Sequence, residues 1–162
     1  MNKPKHDLWR VAVHEAAHAV VARMFGVEFR SVTIVPAGDR LGACNFYQAD
    51  FYCDRRGRIL ASMAGRAAEM EFFGSTTGDY SVDDESIADK LQSWPKIGGI
   101  EAPKLCERNL RRQARRLVKK YRAEIERVAQ ALLQRGTLTP LEVDAVIELV
   151  AANRATRKES RA

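Results

Sequence analysis

The first quarter of the chain changes from a helical to a strand-like distribution of apolar residues. Residues 8–25 read LWRVAVHEAAHAVVARMF, in which almost every side chain is apolar or small, and Gly26 follows as a helix stop. Val32 and Ile34 then alternate with polar neighbours and lead into a turn-forming Pro-Ala-Gly-Asp stretch. The pattern predicts a buried helix that ends near Phe25 and, after it, a β-hairpin or part of a small sheet.

Two further helices are predicted in the middle of the chain. The first begins at Asp54, runs through RILASMAGRAAEMEFF and is stopped by Gly74. The second begins near Asp83 and ends near Trp94. A loop rich in proline and glycine, PKIGGIEAP, follows it.

The C-terminal third of the chain carries a long amphipathic pattern. One helix is predicted from about Lys104 to Arg135, because a single apolar stripe recurs at spacings of three and four between basic residues. Its members are Leu110, Ala114, Leu117, Tyr121, Ile125, Val128 and Leu132. Gly136 ends this helix, and the sequence TPLE, beginning at Thr139, is a capping box that opens a final short helix.

Length and composition are those of one soluble globular domain. The chain has 162 residues, of which 46% are hydrophobic and 30% charged, and the predicted elements make it mainly α, or α+β. We expect a single domain over residues 1–153 and a basic, disordered tail over 154–162. No run reaches the roughly 18 apolar residues of a membrane span, and no apolar signal region follows the charged N-terminus.

The cysteines indicate the redox environment of the protein, and its net charge bears on whether it binds nucleic acid. Cys44, Cys53 and Cys106 lack CxxC spacing, which argues against a disulfide framework and indicates a reducing, cytoplasmic location. The formal net charge is +6, much of it in the long helix and the tail. A basic excess occurs in nucleic-acid-binding proteins, but a solvated helix face and a charged tail account for this one. Nucleic acid is therefore not an expected partner.

Two histidines and a glutamate stand in the middle of the most apolar helix. His14 and His18 are four residues apart, so a helix places both imidazoles on one face, where they can bind one metal ion. The Glu15 side chain points about 100° away from His14, which suits a general base better than a ligand. Burying an unpaired carboxylate is costly, whereas a cation and its water supply a partner. HEAAH therefore predicts a Zn²⁺ site with His14 and His18 as ligands and Glu15 as the catalytic residue.

A catalytic zinc site requires a third protein ligand, and the sequence indicates a carboxylate. The only other histidine, His6, is isolated near the N-terminus, and the HExxHxxGxxH continuation is absent. In the acidic stretch GDYSVDDESIADKL, Asp84 shares the apolar face of the predicted helix, whereas Asp83 faces outward. We therefore predict Asp84 as the ligand and Asp83 as a helix cap or a supporting residue. Glu69 and Glu71 could support the metal ligands, but we expect both at the surface.

Four motifs occur in order along the chain: HEAAH, VTIVPAGDRLGA, MAGRAAEMEFFGSTTG and LTPLEVDAVI. Together they resemble the peptidase domain of the FtsH family of ATP-dependent zinc proteases, over about residues 8–150. The resemblance implies a zincin-like metallopeptidase fold and a third zinc ligand shortly after Thr-Thr-Gly, which corresponds to Asp84. The stretch from Gly78 to Asp84 is longer than is usual in the family, so Asp83 stays an alternative. Ala17 replaces the glycine of the family's HEAGH and removes no chemistry.

Proteases of this family also carry membrane segments and an AAA+ ATPase domain, and neither is evident in this sequence. It contains no phosphate-binding GxxxxGKS or GxxxxGKT loop. We therefore expect the chain to cut flexible or unfolded polypeptides, or to receive them from a separate ATPase. In the family, the strand after Leu-Gly holds the substrate by edge pairing, which falls here on about residues 43–47.

The function predicted from the sequence is that of a zinc metalloendopeptidase acting on unfolded or extended polypeptides. One alternative keeps the chemistry but restricts it to a single dedicated target, such as a repressor. A second alternative is a nucleic-acid or protein-binding module that contains zinc but does not catalyse a reaction. The basic run RNLRRQARRLVKK is the feature that supports this alternative.

Overall fold

The computed structural model describes residues 8–47, 55–77 and 102–159, and in these ranges the chain forms five helices and three strands. In chain order they are α1 (Leu8–Met24), β1 (Phe29–Thr33), β2 (Ala43–Phe46), α2 (Arg55–Phe73), α3 (Ala102–Lys120), α4 (Arg122–Arg135), β3 (Thr137–Leu138) and α5 (Pro140–Glu159). The predicted class, mainly α with one small sheet, is confirmed. The helix predicted from Asp83 to Trp94 lies outside the described residues.

The three strands form one antiparallel sheet in the order β2-β1-β3. Val32 in the central strand lies opposite Cys44 of β2 and Leu138 of β3. The connection from β1 to β2 closes with a bridge between Ala37 and Arg40, so the predicted hairpin is confirmed. Because β1 has a partner on each side, β2 is an edge strand of the sheet as far as the structure describes it.

Helix α1 lies at the centre of the core because its own residues are small or apolar on most of its faces. Ten of its residues are buried: Ala12, Val13, Glu15, Ala16, Ala17, His18, Ala19, Val20, Val21 and Ala22. The helix packs mainly on α2 and α4 and also touches the sheet and α5. Each valine buried in this way stabilises the fold by about 1.5–3 kcal/mol. The predicted helix end is confirmed, because α1 stops at Met24 and Gly26 has a φ of 64°.

Helix α2 approaches α1 closely where it carries glycine. At Gly57, a β-carbon would lie only 2.6 Å from the Cβ of Phe25, just past the end of α1. Gly65, two turns further along α2, lies against the histidines of α1. The helix ends at Phe73, and Gly74 has a φ of 68°, so the predicted stop is also confirmed.

The single helix predicted from Lys104 to Arg135 is divided into α3 and α4. Tyr121 interrupts it with φ −103° and ψ 24°, although its N–H still donates to the Leu117 carbonyl at 2.8 Å. The two halves pack on different partners, since α3 lies mainly against α2 and α4 mainly against α1. This change of partner is the physical reason for the break, and a continuous apolar stripe does not reveal it.

The final helix is longer than predicted. Helix α5 has 20 residues and continues past residue 153, where the folded domain is expected to end. Arg23 of α1 holds it through Asp144 with N–O distances of 2.7 and 2.6 Å, and Arg154 of α5 pairs with the buried Glu124 of α4. None of the helices in the described part of the chain is long and apolar enough to cross a membrane.

The capping box at the start of α5 is formed as predicted. The N–H and the hydroxyl of Thr139 donate to Glu142 Oε2 at 2.7 and 2.9 Å, and the Glu142 N–H lies 3.4 Å from Thr139 Oγ1. The Thr139 N–H, then its hydroxyl and then the charge of Arg135 hold the pKa of the Glu142 carboxyl below its ordinary value of 4.5. The ionised carboxylate therefore stabilises this end of the fold.

We predict that the contribution of Glu142 to stability disappears on acidification. Because its pKa is lower in the folded state than in the unfolded chain, the contribution is complete above 4.5 and is lost as the pH falls through the folded-state pKa. The Tm of the metal-free protein should exceed that of Glu142→Gln at neutral pH, and the difference should close in acid. The exposed Glu148 of the same helix provides the control, since Glu148→Gln should leave Tm unchanged throughout. A difference for Glu142→Gln that persists in strong acid would contradict this assignment.

Candidate metal centre

Two imidazoles on α1 converge on one glycine of α2. The ring centroids of His14 and His18 are 4.7 Å apart, with an angle of 73° between the ring planes. A β-carbon on Gly65 would lie 2.5 Å from the Nε2 atom of each ring. His18 is buried, and the His14 side chain is only 12% exposed. Both Nε2 atoms therefore lie directly against Gly65, where any side chain would collide with them.

Hydrogen bonds at Nδ1 fix the tautomer of both rings. His18 Nδ1 lies 2.6 Å from the Ala61 carbonyl oxygen, which can only accept, so Nδ1 carries the proton. His14 Nδ1 lies 2.7 Å from Glu69 Oε1, and an ionised carboxylate is likewise an acceptor. In a neutral imidazole protonated at Nδ1, the lone pair is on Nε2. In their neutral form, both rings therefore carry the lone pair on Nε2, the atom that lies against Gly65.

Glu69 joins His14 to the loop that follows α2. Its side chain is 2% exposed, and Oε1 accepts the hydrogen bond from His14. Oε2 accepts from the Thr77 backbone N–H at 2.9 Å and from the Thr77 hydroxyl at 3.2 Å, and Arg10 Nη1 lies 3.4 Å away. Donors on both oxygens stabilise the charged carboxylate and fix its orientation.

Two facing rows of residues, each at a spacing of four, build this part of the site. The row on α1 is Arg10, His14 and His18, and the row on α2 is Ala61, Gly65, Glu69 and Phe73. The rows run in opposite directions, since Arg10 lies 4.4 Å from the centre of the Phe73 ring and His18 bonds to Ala61 at the other end. Residues four apart form a ridge on a helix, and such ridges pack together. The helix contact itself therefore sets the position of both imidazoles.

Glu15 faces the hairpin and not α2. It is 8% exposed, and a β-carbon on Gly42 would lie 2.8 Å from Glu15 Cγ and 3.0 Å from its Oε1. The same β-carbon would lie 2.9 Å from the Thr33 carbonyl oxygen. The hairpin backbone thus passes directly against the Glu15 carboxylate, with room only for glycine. The catalytic role assigned to Glu15 from the sequence stays a prediction.

The predicted third ligand lies outside the described residues. Both Asp84 and its alternative Asp83 fall between residues 78 and 101, which the structure does not describe. Within 8–47, 55–77 and 102–159, no group of three or more His, Cys, Asp or Glu residues is arranged to hold a metal ion. The structure therefore describes the surroundings of the two histidines only, and the aspartate ligand stays a prediction.

Sequence reasoning missed the position of Glu69. This residue is buried beside His14 and does not lie at the surface as predicted, whereas Glu71 is 35% exposed and pairs with Arg122 at 3.2 Å. The available signal was spacing, because Glu69 follows Gly65 by the same four residues that separate the two histidines. Gly42, against Glu15, gave no signal beyond its place before a predicted strand.

The fold and the site define a mainly helical domain with an HExxH helix at its core. The chain is 31% identical, over 85% of its length, to the ATP-dependent zinc metalloprotease FtsH of Thermus thermophilus. It is 31% identical over 88% of its length to FtsH 1 of Symbiobacterium thermophilum, and 26% identical over 85% to yta12, a mitochondrial inner membrane m-AAA protease component of Schizosaccharomyces pombe. No protein-family model matches. The chain is a distant homologue of the FtsH and m-AAA proteases, which confirms the resemblance inferred from its motifs.

The similarity covers a small part of each relative. The chain spans 28% of the Thermus protein, 29% of the Symbiobacterium protein and 23% of yta12. Matches of this extent are consistent with the peptidase domain of those proteins, and they indicate a metallopeptidase family. ATP dependence in the relatives' names refers to the whole proteins.

We predict that Gly65→Ala disables metal binding. The added methyl group would lie 2.5 Å from both Nε2 atoms, so at least one ring must move, and the zinc Kd should rise at least about tenfold. Gly57→Ala is the matched control on the same helix, because its methyl group meets Phe25 and not the histidines. It should lower Tm and leave the zinc Kd unchanged. Calorimetric zinc titration of both variants checks this, and a normal Kd for Gly65→Ala would refute the convergence of the rings.

Proposed function

We propose that the chain is a zinc-dependent endopeptidase that cuts unfolded or extended polypeptides. The observation that carries this proposal is the position of the Nε2 atoms of His14 and His18, both against Gly65, while each Nδ1 is bonded to an acceptor on α2. Two imidazoles oriented by Nδ1 acceptors are typical of zinc sites. Homology to proteins named ATP-dependent zinc metalloproteases supports zinc as the metal and peptide hydrolysis as the reaction.

The proposed zinc ligands are His14 Nε2, His18 Nε2 and a carboxylate oxygen of Asp84, with Asp83 as the alternative. Zinc bound there supplies Lewis acidity and lowers the pKa of a water to about 7. The chain itself orients the proposed ligands, because hydrogen bonds from Nδ1 to acceptors on α2 hold both imidazole rings in place. This prior orientation supports a site that binds metal tightly.

Glu15 is the general base in this proposal. Its carboxylate takes a proton from the attacking water and later delivers it to the amine of the leaving product. Burial and the close contact with Gly42 restrict the carboxylate to the side of α1 that faces the hairpin. One side chain held in this way can serve both proton transfers.

Strand β2 is the proposed docking strand for the substrate main chain. It is an edge strand of the described sheet, and an edge strand can pair with an extended peptide. Gly42, immediately before β2, touches Glu15, so a peptide paired along β2 would run past the catalytic carboxylate. The resemblance to the FtsH family implies the same role for about residues 43–47. Only an extended chain can bind in this manner, which supports unfolded polypeptides as the substrate class.

The proposed activity requires no unfolding by this chain. The sequence contains no GxxxxGKS or GxxxxGKT loop, and no step of the proposed hydrolysis uses ATP. Incubation of the zinc-loaded protein with an unfolded casein-like substrate tests the breadth of cleavage. Cleavage at many sites would support a general peptidase. Zinc binding without casein cleavage would favour the alternative of one dedicated target, such as a repressor.

We predict that Glu15→Gln separates zinc binding from hydrolysis. The amide cannot accept the proton of the water, so peptide hydrolysis should fall at least about 10²-fold while zinc stays bound. Glu28→Gln, at a side chain that is 59% exposed and paired with Arg23, should leave both properties unchanged. Cleavage assays paired with metal analysis check the prediction. Full activity of Glu15→Gln would exclude Glu15 as the base.

We predict that Asp84→Asn weakens zinc binding and that Asp83→Asn does not. Loss of a ligand charge should raise the zinc Kd at least about tenfold in one variant only, because one carboxylate completes the site. The two neighbouring substitutions are each other's matched control. The reverse result would assign the ligand to Asp83. Normal zinc affinity in both variants would refute a ligand in this pair.

A further inference from the structure

Arg10 precedes His14 by one turn on α1, and its guanidinium holds the loop after α2. Nη1 donates to the Ser75 carbonyl at 2.9 Å and lies 3.4 Å from Glu69 Oε2, and Nη2 lies 3.5 Å from Ser75 Oγ. The guanidinium also lies over the Phe73 ring, 4.4 Å from its centre. The side chain is 21% exposed, so these contacts are partly shielded from water. One arginine thus joins α1, the end of α2 and the loop over residues 74–77.

The loop held by Arg10 is also bonded to the carboxylate that orients a metal ligand. Thr77 donates its N–H and its hydroxyl to Glu69 Oε2, and Glu69 Oε1 accepts from His14 Nδ1. The position of the loop therefore helps to decide where Oε1 lies. Arg10 acts on this carboxylate twice, directly at Oε2 and indirectly through the loop.

We propose that Arg10 is a positioning residue of the metal centre. By fixing the loop over residues 74–77 on Glu69, it keeps Thr77 on Oε2 and so keeps Oε1 on His14. The consequence for zinc rests on the proposed function, whereas the clamp itself does not. An isolated exposed ion pair would contribute little, but here the ion pair adds to a carbonyl contact and a ring contact.

The identity of the residue matters to this proposal. The planar guanidinium can reach the Ser75 carbonyl and Glu69 Oε2 together while its face rests on Phe73. A lysine retains the charge, but a single ammonium group cannot make all three contacts. Arg10→Lys should therefore recover only part of what Arg10→Gln loses.

Hydrogen exchange in the metal-free protein tests the clamp. The Thr77 amide should exchange at least about tenfold faster in Arg10→Gln than in the unaltered chain, because its bond to Glu69 opens more often. Arg112→Gln is the matched control, since it removes an exposed arginine from α3 and should not change Thr77. Arg10→Lys is the milder second variant if Arg10→Gln does not fold.

Zinc binding tests the consequence. The zinc Kd, measured by competition with a chromogenic chelator, should rise about tenfold in Arg10→Gln and less in Arg10→Lys. The effects of Arg10→Gln and Glu69→Gln on Kd should not add, because both act on the same ring. A role limited to general stability would lower Tm without moving either readout.

Unchanged Thr77 exchange and a zinc Kd within about twofold of normal in Arg10→Gln would overturn the inference, whatever happened to Tm. Additive effects of Arg10→Gln and Glu69→Gln would also overturn it. Failure of the unaltered chain to bind zinc would refute the proposed function instead. In that case the Thr77 amide would still decide whether Arg10 clamps the loop.

Discussion

The close approach of α1 and α2 at Gly65 is the contact on which the candidate metal centre depends. Because no β-carbon separates the helices there, both imidazoles fit between them with their Nε2 atoms against the glycine. Helix α2 also supplies the two Nδ1 acceptors, a turn before and a turn after the glycine. The packing that closes the core and the hydrogen bonds that orient both imidazoles are therefore parts of one helix interface.

The carboxylate assigned to proton transfer belongs to a different interface. Glu15 lies against Gly42 of the hairpin, while the histidines lie against α2. Helix α1 carries both sets because neighbouring residues on a helix point about 100° apart. Changes in the sheet can therefore alter the proposed base without moving the proposed metal ligands, and changes in α2 can do the reverse.

Local signals in the sequence were sufficient to predict much of the fold. Gly26 and Gly74 end the predicted helices, and the capping box at Thr139 is formed. The break at Tyr121 could not be predicted, because it depends on which helices the two halves contact. Burial of Glu69 was missed although its spacing from Gly65 indicated it, because His14, which lies far away in the chain, completes its environment.

The arrangement of ligands and acceptors has a consequence for the relative register of the two helices. Every partner lies in a row with a spacing of four, so sliding α2 by one residue along α1 would separate all the pairs at once and could not loosen only one. Such a slip would also bring a side chain into the space beside the imidazoles. Conversely, an unrelated antiparallel helix pair with these positions, and with a loop that fixes its carboxylate, would host the same pair of imidazoles.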